Sequence, residues 1–518
     1  MSRRLKILLG LGIVLGLAIV IPVIHHYQLR AATEAYIAQL KARGEPMELA
    51  QVIPAPVPAE QNSADTFRKA AALIDADDSL SYTNYVYGMA MITLGKAMVR
   101  WEQPDVQGSD GTNSWESVED AVNQNAQSFA LLRQIIAKPD FDFGIEYERG
   151  FDNLDFTNLY LVQSKQAGQR LGTSALCDLH QGDTALAVTN LQAMLAIVKA
   201  IRNERLVISE LVRIAIASIA QSVNWEVLQS TNVTDRQLAK LQNDWTSLDF
   251  IRGEENALGM ERVVSVITAN KWRKPPSLLQ HYIENWLYVW TPSGGSNREA
   301  TTFDKIKIAT KVFMWRNWWS YPDELRMLKG CEVLLDTARV CQTNDALLPP
   351  IDNQKKRLEN LRLNEFGDEW EALFDHDMDM HRMLSASVTS LSGIFNRAMR
   401  AETAKQMMIA AIALKRYQLK NGIYPPDLKS LVPKFVPKVP LDPVDGQPLR
   451  YRRNADGTFV LYSVGDNGKD DGGNPAMEPG VESPNYYWHN PHALDWVWPQ
   501  PATEAEIKAY YDRQKSRN

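Results

Sequence analysis

The sequence predicts a mainly α-helical chain, an irregular helical bundle or solenoid, with a small α+β domain near the C-terminus and one N-terminal transmembrane helix. Three observations predict this. Ile7 to Ile24 carries no charge and is almost wholly aliphatic. From about residue 63 to 399, apolar residues recur at three- and four-residue intervals, the period of an amphipathic helix. After Gly422 that pattern gives way to turn dipeptides and two short runs of strand-forming residues. The expected organisation is a signal anchor over 1–26, a juxtamembrane helix and proline-rich linker over 27–62, a helical domain over 63–399, the α+β domain over 400–475 and an aromatic tail over 476–518.

With 518 residues, 45% of them apolar, the chain can bury large cores. A net charge of −6 and the lack of a long basic tract argue against nucleic acid as a partner, since phosphate binding needs clustered Lys and Arg.

Arg3, Arg4 and Lys6 precede the apolar run. Its 18 residues, at ~1.5 Å each, span about the thickness of a bilayer core. Basic residues on the N-terminal side place that end in the cytoplasm and the bulk of the chain outside it, as a single-pass membrane protein. A cleaved signal peptide is the competing reading. Retention is favoured by the length of the run and by the lack of a small-x-small cleavage site before Gln28-Leu29-Arg30. Gly12 and Gly16 have the spacing of a helix-pairing face, but glycines are common in membrane helices.

Tyr27 to Arg43 reads as a helical stalk ended by Gly44-Glu45-Pro46, and Pro54, Pro56 and Pro58 favour a stiff, extended linker. Helices are then expected over Val122 to Ala137, Leu159 to His180, Thr184 to Ile201, Val207 to Gln229 and Asp235 to Ser247. Leu171 to Ile201 has the layout of a helix hairpin turning at Gly182-Asp183, with Ala175, Ala185 and Ala187 where the helices approach. It looks like one tetratricopeptide-type unit, but the flanking sequence lacks the roughly 34-residue period of a solenoid.

Lys271 to Tyr321 is rich in aromatics, with Trp272, Trp286, Trp290, Trp315, Trp318 and Trp319. A core of large residues is the favoured reading, and a binding surface for peptide, glycan or the membrane interface is the alternative. Cys177, Cys331 and Cys341 read as buried free thiols, for Cys331 and Cys341 fall too far apart on one helix to bridge. No zinc-protease, nucleophile-elbow, Walker or dinucleotide motif is present. The run from Asp375 to His381 offers only weak ligand pairs, His376 with Asp379 and Asp377 with His381, and reads as a solvated acidic face.

The most specific stretch is Ala401 to Pro475. A helix through Asn421 stops at Gly422; Asp427 caps a short helix through Leu431; Asp442-Pro443 and Asp445-Gly446 make turns; and strands over Leu449 to Arg453 and Thr458 to Val464 flank a hairpin loop at Asn454 to Gly457. Tyr462-Ser463-Val464-Gly465-Asp466-Asn467-Gly468-Lys469-Asp470-Asp471-Gly472-Gly473 then places three carboxylates on a glycine-rich loop. Two readings fit that loop: a calcium site, which needs hard oxygen ligands on a flexible backbone, and an ordinary polar turn.

The NGIYP helix end, the turn and strand P-x-DP-x-x-G-x-P-L-x-Y, and YSVGDNGKDDGG together resemble the globular headpiece of the type II secretion major pseudopilins. The resemblance covers 75 residues, Ala401 to Pro475. It implies a helix packed on a small antiparallel sheet. It also implies a calcium ion held by the carbonyl of Val464 and the side chains of Asp466 and Asp470 or Asp471. The apolar N-terminal run lacks the glutamate of a processed pilin, so a shared module is expected, not a pilin subunit. The remainder resembles uncharacterised membrane-anchored bacterial proteins, which brings no activity with it.

The expected function is a non-enzymatic scaffold or interaction protein of the cell envelope, associated through the resemblance with secretion or pilus-like machinery. The alternative is an envelope hydrolase with catalytic groups dispersed among the helices. The tail, with Trp488, Trp496 and Trp498 between prolines, is expected to cover a sheet edge or dock on the helical domain.

Overall fold

The computed structural model describes residues 24–75, 86, 88–108, 111–147, 160–274, 302–361, 382–481 and 488–515. The apolar run before Ile24, the Asp375 to His381 cluster, Trp286, Trp290, Tyr486 and Tyr487 lie outside them.

The described chain is mainly helical. Helix α1 covers residues 24–42. It is followed by α2 (Leu49–Val52), α3 (Ala64–Asp75), α4 (Trp115–Gln124), α5 (Ala126–Gln134), α6 (Leu161–His180), α7 (Thr184–Ile201), α8 (Val207–Gln229), α9 (Asp235–Thr246) and α10 (Arg252–Trp272). Then come α11 (Thr302–Met314), a π-helical turn (Trp315–Trp319), α12 (Ser320–Thr343), α13 (Leu348–Asn360), α14 (Ser385–Leu391), α15 (Ile394–Asn421) and α16 (Glu504–Lys515).

Helices α6, α7 and α8 pack on one another as the centre of the body. Gly182 takes φ +82° at the α6–α7 turn, and Asp183 caps α7 by accepting from Leu186 N. Ala175 and Ala187 are fully buried, as the hairpin reading requires, whereas Ala185 is exposed. Among the described residues, the stretches Thr184–Glu204 and Val207–Gln229 are long and apolar enough to cross a membrane, but both are largely buried, as core helices are.

Two small hairpins interrupt the expected helical run: β1 (Ala90–Thr93) with β2 (Lys96–Met98), and β3 (Val106–Gly108) with β4 (Gly111–Asn113). The helical domain expected over 63–399 therefore also carries these strands, which the sequence pattern did not show. The strands are three or four residues long, and Gly95 turns the first pair with φ +73°.

The presumed stalk and linker are parts of the body. Thr33 donates to the Tyr321 carbonyl at 3.1 Å, and Tyr36 and Arg43 both bind Glu332. In the proline stretch Val57 N donates to Asp142, and just before it, at the end of α2, the carbonyl of Val52 accepts from Arg205. The prolines therefore lay the chain along a surface instead of spacing two parts.

Helix α15 starts at Ile394, earlier than the sequence pattern suggested. Met407 through Leu414 are all buried, so it is enclosed on every side. It packs on α8 and α9 of the body and, on its other flank, on the C-terminal sheet and the short helix Leu428–Leu431, which Asp427 caps. Its end falls where predicted, with Gly422 at φ +77°. The sheet has order β5-β6-β7, where β5 (Arg450–Arg453) and β6 (Phe459–Ser463) form the expected antiparallel hairpin and β7 (Trp496–Val497) adds the tail as a third strand.

The tail then leaves this sheet and joins the body. β8 (Gln500–Pro501) pairs in parallel with β2, Trp225 of α8 donates to the carbonyl of Pro499 at 3.0 Å, and Glu506 of α16 binds Lys96. Trp488, Trp496 and Trp498 are all buried. Both expectations for the tail are met at once.

Candidate functional site at the headpiece seam

The glycine-rich loop after β6 is held by two buried aspartates outside it. Asp442, from the Asp-Pro turn, accepts from Val464 N at 3.0 Å, Val444 N at 3.1 Å and Ser463 Oγ at 2.9 Å. Asp495, from the tail, accepts from Gly473 N at 2.8 Å, Asn474 N at 2.9 Å and Asp471 N at 3.3 Å. Burial raises the pKa of both carboxyls, against the pull of these N–H donors. Asp495 escaped the sequence reading because it lies 24 residues beyond Asp471, in a stretch that carried no turn motif.

The residues expected to gather round an ion are placed as follows. Val464 ends the strand and is fully buried. Asp470 accepts from Tyr462 Oη at 2.9 Å and Gly472 N at 3.0 Å, with Arg450 at 3.5 Å; the Gly472 bond, first among these, holds its carboxyl below the usual range. Asp471 accepts from Asn467 Nδ2 at 3.0 Å. Asp466 turns away from these two and accepts from Arg400 of α15, whose Nε lies 2.9 Å from Oδ2. Among the described residues, no three His, Cys, Asp or Glu side chains converge as metal ligands.

One observation does favour a cation. Asp466 Oδ1 is buried with no hydrogen-bond partner, and burial pushes the pKa of this carboxyl up while Arg400 pulls it down. Asp466 and Arg400 line a cleft of about 460 Å³ between the headpiece and helices α13 to α15, together with Gln354, Ser392 and Asn396. Gln354 Oε1 is likewise buried and unpartnered, while its Nε2 donates to the Ser392 carbonyl at 3.0 Å. Two unsatisfied acceptors make this cleft suited to a donor or a small cation.

A second cleft, of about 600 Å³, is lined by Lys199, Arg202, Arg205, Arg252 and Lys405 with Asp249 and Glu402, so its character is cationic. Lys405 is already committed to Glu402 and to the Leu248 carbonyl at 2.9 Å.

Most of the remaining acids with raised pKa sit in the packed interior. Burial pushes Glu204 and Glu226 up to about 8 and Glu261 up to about 7. Each has a structural partner: Ser209 Oγ for Glu204, the N–H groups of Met89 and Arg100 for Glu226, and Val207 N for Glu261. Asp323 joins three elements, accepting from Leu384 N, Ser385 N and Trp315 Nε1. Cys177, Cys331 and Cys341 are buried and free, and burial pushes all three thiols up to about 12, far from a reactive thiolate.

No protein-family model matches this chain, and neither a curated protein nor a solved structure matches it.

Proposed function

We propose that the chain is a membrane-anchored, extracytoplasmic scaffold or interaction protein of the bacterial envelope, associated with type II secretion or pilus-like machinery. The observation that carries the scaffold reading is the fusion of three parts into one body. Helix α1, which follows the apolar run in sequence, is tied to α12 through Tyr36, and the turn and segment after it are tied to α10 and α12 through Arg43 and Glu45. The pseudopilin-like headpiece shares α15 with the body, and its Asp442 turn is bonded to the start of α13, where Leu347 N donates to Pro443 O at 2.8 Å. Such a part transmits position; a flexibly tethered module would not. The link to secretion machinery rests on the resemblance of Ala401 to Pro475 alone.

Calcium in the headpiece loop belongs to the same proposal. The orphaned Asp466 Oδ1 supports it, and binding through Asp466 has to compete with Arg400. The other oxygens would come from the carbonyl of Val464 and from Asp470 or Asp471, toward which Asp466 has to turn on leaving Arg400.

The test is cross-linking in intact cells followed by purification from solubilised membranes. A stable envelope partner that is lost when residues 400–475 are altered supports the proposal. Recovery of the chain in the soluble cytosolic fraction, or turnover of an envelope substrate abolished by a single acidic substitution, would overturn it.

A further inference from the structure

A solvent-facing helix normally turns its polar side outward. Among its described side chains, helix α11 turns apolar ones outward. Val312 and, just past the helix end, Trp315 are buried against the body, while the outward face carries Ile306, Ala309, Thr310 and Phe313. Ile306 is 60% exposed and Phe313 56%, about two turns apart on one face. The π-helical turn extends the stripe with Trp318, 39% exposed and edge-on to Phe313 at 5.8 Å between ring centres.

This stripe adjoins the start of α1. Tyr321, in the first turn of α12, meets His26 edge-on at 5.3 Å and lies under Arg30 at 5.9 Å. Ile24 and Tyr27, at the beginning of α1, are 52% and 63% exposed. Of the nine large apolar side chains exposed among the described residues, five therefore belong to this one end of the molecule. It is also the end at which the apolar run Ile7 to Ile24 joins the body. The sequence of α11 and its turn includes Lys305, Lys307, Lys311 and Arg316 against the single acid Asp304.

We propose that Ile24, Tyr27, Ile306, Phe313 and Trp318 form a collar seated in the headgroup and upper acyl region of an anionic phospholipid bilayer, with α11 lying along the surface. The inference rests on the anchoring proposed above. Continuity with the apolar run fixes the occupant as the same bilayer. Tryptophan and tyrosine favour that interfacial depth, and a basic amphipathic helix suits an anionic surface. The collar would fix the tilt of the whole body on the membrane, which an anchor helix alone leaves free.

The test uses the full chain reconstituted in nanodiscs of phosphatidylethanolamine with a minority of phosphatidylglycerol. A polarity-sensitive fluorophore is placed by Thr310→Cys, and separately by Asp456→Cys on the exposed headpiece hairpin; the native thiols are buried and stay unlabelled. The collar predicts that lipid bearing a shallow spin label removes about half the emission at position 310 and leaves position 456 unchanged. Combining Phe313→Ser and Trp318→Ser, both surface changes, should abolish that quenching with the helical signal intact. A chain that inserts in the nanodisc but shows no quenching at 310 overturns the collar and leaves the anchor standing. A probe shielded from water yet not quenched by lipid shows that a second copy or residues 275–301 cover the face, which also overturns it. A chain that fails to insert removes both readings.

Discussion

Glu45, just beyond the turn that ends α1, holds the guanidinium of Arg262 at 2.9 Å, and Arg262 is fully buried in α10. The same carboxylate takes Arg339 of α12 at 2.7 Å. One acid from the N-terminal segment thus neutralises cations on two helices of the body.

Removing that acid should therefore cost more than an ordinary surface pair. Glu45→Gln leaves Arg262 buried without its counter-charge, and stability should fall by about 3 kcal/mol, measured by urea denaturation. Hydrogen bonding to Arg339, with help from Arg262, lowers the Glu45 pKa to about 2. Its contribution is fully present above the unfolded carboxyl value of about 4.3 and is lost as pH falls toward 2. The variant should lack that acid-side loss.

The buried acids of the interior have the opposite sign. Glu204 and Glu226 are raised to about 8 by burial, so the folded state holds protons that the unfolded state has released. Their contribution is present below about pH 4.3 and is lost as pH rises through 8. Stability should decline from about pH 5 to 8, and Glu204→Gln, which keeps an acceptor for Ser209, should flatten that decline. A pH series of denaturation midpoints that is level for the native chain would contradict this.

Arg400 and Asp466 set the terms for calcium. If Asp466 is a ligand, Arg400→Gln frees it and should strengthen calcium binding by about tenfold, read by calorimetry, while Asp466→Asn should abolish it. Equal calcium response in all three proteins would assign the ion elsewhere; no response in any would leave the loop as a polar turn.

The tail is predicted to be structural. Trp496 is fully buried and donates to the Asn490 carbonyl at 2.9 Å. Trp496→Ala should cost about 4 kcal/mol and speed hydrogen exchange in β6 as well as in the tail.

The long helices were legible because each has one apolar face or is apolar throughout. Thr184–Ile201 and Val207–Gln229 begin and end where the pattern places them. The headpiece hairpin was legible from Asn454 to Gly457 and its flanking runs. Strands β1 to β4 were not, since three or four residues give no period, and the β1–β2 pair is further held by Glu226 and by β8 from the far end of the chain. The partners of the loop acids were equally hidden. Arg400 is 66 residues from Asp466, and a long-range ion pair leaves no local trace. In the aromatic segment Trp272 and Trp315 are core, as the favoured reading has it, and Trp318 is at the surface.

The account depends most on the headpiece and the helical body being one unit joined by α15. Hydrogen exchange followed through a urea series tests this directly. Amides of β6, α15 and α8 should converge on a single opening free energy. Release of β5 and β6 at lower urea, with α8 and α9 still protected, would show a separately folding headpiece and contradict it.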